Sequence, residues 1–264
     1  MATLPNPLPM LAADPSGHAL GLELPPGRLI DETDDGPWHE PLLWHAESPA
    51  VHGGWSALDA ARRAAGLLPV LIDVGGGQGG PEEWELMPGE VSYPGDHDPE
   101  DVLAEFWEEY AQEEADEDEW PGLAPARPPR TDPDALAAEI ADFLVDDGSW
   151  LKEPRLALVP ARRSADLPAA IGWSGPLNFE DDVARLCAVL RSWEDRFGIR
   201  VVALTFDQLI VSVAAPPTTM ADAEAVAVEH FAFCPDNIQQ SGDSSLRSYA
   251  EHLIDQEIWS FWWD

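Results

Sequence analysis

The chain has 264 residues and a net charge of −36, from 50 acidic and 14 basic side chains. A hydrophobic fraction of 45% suits one large or two modest globular domains and argues against general disorder. Because no basic footprint and no apolar stretch of about 18 residues are visible, we predict no nucleic-acid partner and no membrane span.

The first part of the chain predicts an acidic α/β region behind a Pro-rich flexible lead at residues 1–19. Apolar runs bounded by Pro and Gly predict three strands, at 20–25, 41–47 and 67–74. A helix lies between the last two, with Ser56 as its predicted N-cap and Gly66 as its end. This helix followed by a buried strand predicts the start of an α/β unit.

A glycine-rich run, GGGQGG, follows the third strand at residues 75–80. It formally fits the G-x-G-x-x-G fingerprint of dinucleotide-binding folds, in which the last glycine opens a helix. Here Pro88 soon interrupts any helix, and Glu82 and Glu83 would face the pyrophosphate. We therefore predict an ordinary loop.

Residues 96–119 hold 13 acidic residues and no lysine or arginine. Apolar residues recur there at helical spacing and predict one packed helix face: Val102, Leu103, Phe106, Trp107 and Tyr110. The acidic face is either plain solvated surface or a surface for a basic partner. Residues 116–133, rich in Pro and charge, predict a linker that closes the acidic region at 20–115.

Residues 134–264 are predicted to form a C-terminal α+β domain. Strands are predicted in it at 155–161, 200–206, 209–215 and 258–264, the middle two joined by Asp207 and Gln208. A helix is predicted before them at 132–148, and connecting helices at 179–197, 219–234 and 245–255, with N-caps at Asn178 and at Thr218 or Thr219. From the first strand onwards, the order is the split βαββαβ pattern of ferredoxin-like folds.

The predicted fold class is therefore α+β, with a C-terminal ferredoxin-like domain and an acidic, Pro-rich N-terminal α/β region. The terminal IWSFWWD is predicted as its last strand. The alternation of a strand puts Trp259, Phe261 and Trp263 on one face and Trp262 on the other.

Four motifs, LRSWEDRFGIRVV, VAAPPTT, EHFAFCPDNI and WSFWWD, occur in this order between residues 155 and 264. This part of the chain resembles the bacterial domain-of-unknown-function family 4253, which is common in actinobacteria. The resemblance implies no activity, substrate or cofactor, and it carries over no catalytic residue. Thirteen arginines against one lysine agree with a high-GC bacterial composition.

His230 and Cys234 lie four residues apart on a helix that Pro235 closes, with Asp236 and Asn237 just beyond. This spacing puts an imidazole and a thiol on one helical face, as a zinc pair or a Cys–His nucleophile requires. A structural zinc site needs four ligands, and no second His or Cys pair exists, so we predict no metal and no cofactor. Core packing is the favoured interpretation, and a thiol exposed at the helix end is an alternative.

These observations predict a non-enzymatic, cytoplasmic protein-interaction module that binds a basic partner, of the type of an immunity protein. The alternative is an enzyme or small-ligand binder with a pocket near Trp173, His230, Cys234 and Asp236. RNA binding through sheet aromatics is disfavoured by the charge. No catalytic residue is assigned, and the candidate ligand or interaction site comprises Trp173, Asn178, His230, Cys234, Asp236, Asn237 and Trp262.

Overall fold

The computed structural model describes residues 5–110, 119–240 and 245–263, with the side chains of all of these except Asp59, Ala60 and Tyr110. Within them the chain folds around one seven-stranded mixed sheet. The strands are β1 (Gly27–Ile30), β2 (Leu43–Ala46), β3 (Leu67–Asp73), β4 (Pro154–Pro160), β5 (Ile199–Leu204), β6 (Gln208–Val213) and β7 (Ile258–Trp262). The α+β class predicted from the sequence is confirmed.

The helices in the described part of the chain cover both faces of the sheet. They are α1 (Pro9–Ala13), α2 (Gly54–Ala65), α3 (Pro99–Tyr110), α4 (Pro133–Val145), α5 (Leu167–Ile171), α6 (Val183–Phe197), α7 (Met220–Phe233), α8 (Asp236–Gln239) and α9 (Leu246–Leu253). On one face, α6 and α7 pack against the sheet, and α3 lies across both of them. On the other face, α1, α2 and α4 bury a second apolar cluster.

The strand order is β1-β2-β4-β3-β5-β6-β7, which is not the ferredoxin-like order predicted. A split βαββαβ sheet would keep β4 to β7 together, whereas here β3 lies between β4 and β5. Residues of β3 pair with β4 over its whole length, from Leu67↔Pro160 to Asp73↔Pro154. The sequence of β3 is apolar on both faces, which suits a strand at the centre of a sheet covered on both sides.

The pairing of β3 with β5 is parallel, and the other pairings in the sheet are antiparallel. Because parallel neighbours end at the same edge, the chain leaves β3 after Asp73 and β5 after Leu204 side by side. The predicted α/β region and the predicted C-terminal domain thus contribute strands to the same sheet. The domain boundaries themselves stay a prediction.

Three local predictions are wrong. Residues 20–25 form no strand, and the chain pairs with β2 only from Gly27, after Pro25 and Pro26. Gly53, in the left-handed region at φ 79°, precedes α2 in place of Ser56. The predicted cap Asn178 lies in a turn, and the helix begins five residues later at Val183, where Asp182 accepts a hydrogen bond from the amide of Ala184.

Other local predictions are confirmed. Thr219 caps α7 by accepting from the Asp222 amide, and Gly198 ends α6 at φ 64°. Loop residues follow β3 at GGGQGG.

The hairpin between β5 and β6 is one residue longer than predicted, because Thr205, Phe206 and Asp207 all lie outside the strands.

The predicted lead and linker also have defined contacts. Leu8 and Leu11 are buried in the cluster beneath α2 and α4. Residues 116–118 of the predicted linker lie outside the described residues. Beyond them, the amides of Arg127 and Arg130 donate to the carbonyl oxygens of Arg196 and Ala214, at 2.9 and 2.8 Å. The linker therefore runs along the C-terminal part of the chain.

Candidate functional site

Four of the predicted site residues lie together where α7 and α8 meet strand β7: His230, Cys234, Asn237 and Trp262. We call Trp193, His230, Cys234, Asn237 and Tyr249, with the aromatic residues of β7, the closed cluster. Tyr249 on α9 bridges His230 and Asn237, since the tyrosine hydroxyl lies 3.1 Å from His230 Nδ1 and 3.4 Å from Asn237 Nδ2. His230 and Cys234, the i, i+4 pair of the sequence, are both buried here.

Asn237 saturates the free edge of strand β7. Its Nδ2 donates to the carbonyl oxygen of Ser260 at 2.6 Å, and its Oδ1 accepts from the amide of Trp262 at 3.2 Å. These two backbone groups point outward because β7 pairs with β6 on its other side. A side-chain amide thereby takes the place of a neighbouring strand at an edge that would otherwise offer unpaired groups.

His230 is enclosed by aromatic rings and has no solvent-exposed surface. The rings of Trp259 and Phe261 lie 4.4 and 4.9 Å away, centroid to centroid, and that of Trp193 lies 5.1 Å away. Burial lowers the pKa of His230 to about 3, so the ring is neutral at physiological pH. Its Nε2 has no hydrogen-bond partner among the described residues.

Cys234 is buried at the end of α7, so the alternative of an exposed thiol at this helix end is wrong. Its Sγ donates to the carbonyl oxygen of Trp262 at 3.0 Å. Burial raises its pKa to about 12, which opposes formation of the nucleophilic thiolate. No group of three or more metal-ligating His, Cys, Asp or Glu side chains occurs in the described part of the chain.

The remaining predicted site residues lie outside this cluster of contacts. Trp173 is buried and donates from Nε1 to the carbonyl oxygen of Thr205 at 2.9 Å, with its ring edge-on to Trp263. Asn178 lies on the loop before α6, and Asp236 accepts from the side chain of Gln240 at the surface. As a ligand or interaction site, the seven residues stay a prediction.

A buried ion pair beside the closed cluster was missed from the sequence. Glu229 on α7 has no exposed surface, and Arg196 on α6 donates to its two oxygens at 2.7 and 2.6 Å. Trp193 Nε1 also donates to this carboxylate at 2.6 Å, as does the amide of Ala124. The pair attaches the predicted linker to two helices. The sequence does contain a signal for this ion pair, because Glu229 is a charged residue among the apolar residues of α7.

The exposed side of α3 is acidic, as predicted. Its apolar residues Val102, Leu103, Phe106 and Trp107 are buried, whereas the side chain of Tyr110 lies outside the described residues. We give the name acidic face to the exposed acidic residues of α3 together with two that precede it: Asp96, Asp98, Glu100, Asp101, Glu105, Glu108 and Glu109. Among the described residues, Arg185 supplies its one ion pair, to Glu105. The face therefore keeps most of its negative charge unneutralised.

A cavity of about 340 Å³ opens at the edge where the parallel strands β3 and β5 end. Its walls are the glycine-rich loop at 76–79, residues 150–152 before β4, and residues 205–208, which are the hairpin turn and the first residue of β6. We call it the open cleft. Sequence reasoning missed it, because the ends of β3 and β5 meet only through a pairing between distant parts of the chain.

The buried carboxylate of Asp73 joins two of these walls. It accepts hydrogen bonds from the amides of Gly75, Lys152 and Glu153, at 3.2, 3.1 and 2.6 Å. In the third wall, Thr205 Oγ1 accepts from the amides of Asp207 and Gln208. The walls are therefore fixed by hydrogen bonds that need no ligand.

The described part of the chain is thus an α+β protein built on one mixed sheet, with the open cleft at one edge of that sheet. Residues 155–264 match the family model described as Domain of unknown function (DUF4253), which confirms the resemblance seen in the sequence motifs. The match begins in β4 and leaves out β3, the strand between β4 and β5. No curated protein and no solved structure matches the chain. None of the helices in the described ranges could span a membrane.

Proposed function

We propose that the protein is a non-enzymatic interaction module that binds a basic protein through the acidic face of α3. The observation that supports it most is the charge of this face, where seven acidic residues have one ion pair among the described residues. Elsewhere, arginines are matched to acids, as in Arg191 with Asp166 and Arg196 with Glu229. The acidic face thus presents several negative charges that are unpaired among the described residues, together on one exposed surface.

The packing of α3 supports a rigid presentation of this surface. Phe106 and Trp107 are buried against the aromatic residues Phe179 and Phe231, with ring centroids 4.9 and 5.8 Å apart. A helix anchored in this way loses little conformational freedom when a partner binds. Complementary charge would speed the encounter, and the effect would weaken with salt. The same field is unsuited to nucleic acid.

We also propose that the protein acts in the cytoplasm. Both cysteines, Cys187 and Cys234, are free and buried. Burial raises the pKa of each thiol, so neither is activated for reaction. Unpaired buried thiols suit a reducing compartment.

The test compares two variants that each lose four negative charges. The first carries Glu100→Gln, Asp101→Asn, Glu108→Gln and Glu109→Gln on the acidic face. The control carries Glu40→Gln, Glu139→Gln, Glu251→Gln and Glu257→Gln, which lie on exposed surface elsewhere. Each full-length chain is used as bait in native lysate at low and high salt, and the captured proteins are identified by mass spectrometry.

We expect the parent and the control to capture the same basic protein at low salt, and the α3 variant to lose it. Salt should release it from both baits. Equal loss from the two variants would show unspecific attraction to net charge. That result, or capture of no specific protein by the parent chain, would overturn the proposal.

A further inference from the structure

We infer that the open cleft binds a small zwitterion of the aromatic amino-acid type. This inference is independent of the acidic face, because the cleft and α3 are formed by different residues. The volume of about 340 Å³ is in the range of metabolite sites, which begins at roughly 300 Å³. The position beyond the ends of parallel strands is also where open α/β sheets hold ligands.

The cation of the cleft is Lys152, the one lysine of the chain. Its side chain is exposed, and no described residue forms an ion pair with it. Asp73, which also lines the cleft, already accepts hydrogen bonds from three backbone amides, among them that of Lys152 itself. A lysine without an acidic partner in so acidic a chain is a ready site for the carboxylate of a ligand.

The glycine-rich loop adds neutral donors beside this lysine. Gly76, Gly77 and Gln78 are exposed residues, and their amides donate to no described acceptor. A Cβ atom placed on Gly76 or Gly77 would meet nothing within 4 Å, so this wall is open to an approaching molecule. Amides without a protein acceptor are donors available to the carboxylate of a ligand.

The anion of the cleft is Asp207 in the hairpin turn. One of its oxygens accepts from Thr205 Oγ1 at 2.9 Å, and no described residue donates to the other. That oxygen is available to the ammonium group of a ligand. A lining that holds one open cation and one open anion selects a molecule with both charges over one with either alone.

Trp150 supplies an aromatic surface at the rim. It is 48% exposed, and Phe143 packs edge-on against it with centroids 6.1 Å apart. Hydrogen bonds from the Leu151 amide to Ser149 Oγ, and from that hydroxyl to the Leu144 carbonyl oxygen, hold the segment in place. A large exposed indole fixed beside a polar cleft suits stacking of a flat ring.

The experiment uses the full-length chain and three probes that differ by one charged group. These are L-phenylalanine, phenethylamine, which lacks the carboxylate, and 3-phenylpropanoate, which lacks the ammonium. Binding is measured by isothermal titration calorimetry at probe concentrations up to ~10 mM. We expect L-phenylalanine to bind at least about tenfold more tightly than either analogue.

Two variants assign the charges. Lys152→Met should weaken L-phenylalanine about tenfold and leave phenethylamine unaffected, whereas Asp207→Asn should weaken L-phenylalanine and leave 3-phenylpropanoate unaffected. Gly77→Leu should block all three probes by filling the space beside the loop. Arg247→Met is the control, since its side chain is 71% exposed and its ion pair with Glu224 lies outside the cleft lining.

Thermal unfolding of each variant first establishes that it is folded. The inference is overturned if no probe binds the parent chain, if either analogue binds as tightly as L-phenylalanine, or if Lys152→Met and Gly77→Leu leave the affinity unchanged. Loss of binding in the Arg247→Met control would equally place the site elsewhere.

Discussion

The closed cluster and the open cleft lie in the same fold and both contain polar side chains beside tryptophan, yet they satisfy these groups in opposite ways. In the closed cluster, Asn237 and Cys234 form hydrogen bonds with the backbone of β7, so their polar groups already have partners within the protein. In the open cleft, Asp73 also has backbone partners, whereas Lys152 has no ion pair and one oxygen of Asp207 has no donor among the described residues. The difference separates groups that hold the fold together from groups able to bind a molecule.

The largest effect that we expect comes from deleting residues 258–264. Strand β7 pairs with β6 from Ser212↔Ile258 to Gln208↔Trp262, and its residues Trp259 and Phe261 are buried. Losing a buried Phe or Trp side chain costs about 3–5 kcal/mol, and whole domains are stable by only about 5–15 kcal/mol. The truncated chain should show no cooperative transition in thermal unfolding followed by circular dichroism.

Trp262→Ala is the control for this deletion, because its ring lies on the other side of the strand and is only partly buried. It should retain a cooperative transition. A soluble truncated chain with native-like unfolding would show that the terminal aromatic residues are dispensable for the fold.

The next effect sharpens the comparison by removing one cation from the buried ion pair beside the closed cluster and one from the open cleft. Arg196→Met leaves the buried carboxylate of Glu229 without its partner, which should cost about 3–5 kcal/mol. Lys152→Met removes an exposed ammonium group without an ion pair and should change stability by less than about 0.5 kcal/mol. Urea unfolding of the two variants measures both values. Equal losses of unfolding free energy in the two variants would contradict the distinction between the two regions.

A smaller effect depends on pH. The pKa of His230 is about 3 in the folded chain and about 6.5 in an unfolded one, so below pH 6.5 the unfolded chain binds a proton that the folded chain does not. Stability contributed by the neutral ring is therefore complete above pH 6.5 and is lost as the pH falls from there towards 3, by about 1.4 kcal/mol per pH unit.

Urea unfolding of the parent chain and of His230→Gln, at about pH 7 and about pH 5, measures this contribution as a difference in slope. The parent should lose more stability on acidification than the variant. Parallel pH dependences would mean that the imidazole takes up a proton without unfolding, as an open site would allow.

The smallest effect concerns thiol reactivity. Burial raises the pKa of Cys234 to about 12 and also raises that of Cys187, so both thiols stay protonated at neutral pH. A thiol reagent such as iodoacetamide should label neither residue in the native chain and both in denaturant, as read by mass spectrometry. Rapid labelling of Cys234 in the native chain would contradict its burial in the closed cluster.

How far the sequence predicts this molecule differs between these regions. The alternation of IWSFWWD correctly gives the buried face of β7, because it depends on local strand geometry. The i, i+4 spacing likewise places His230 and Cys234 along one side of a helix, and both are buried. The open cleft could not be predicted, because its three walls come from segments far apart in the chain. Neither could the role of Asn237, whose partners in β7 follow it by more than 20 residues.

Composition, charge and local periodicity determined the class of the protein, the acidic side of α3 and most of the helices and strands. These are properties of neighbouring residues, for which spacing along the chain equals spacing in the element. Only the tertiary structure decided the strand order, because the insertion of β3 between β4 and β5 is a contact between distant segments. That insertion sets the two parallel strand ends side by side and so creates the cleft, while GGGQGG read alone predicts no more than a loop.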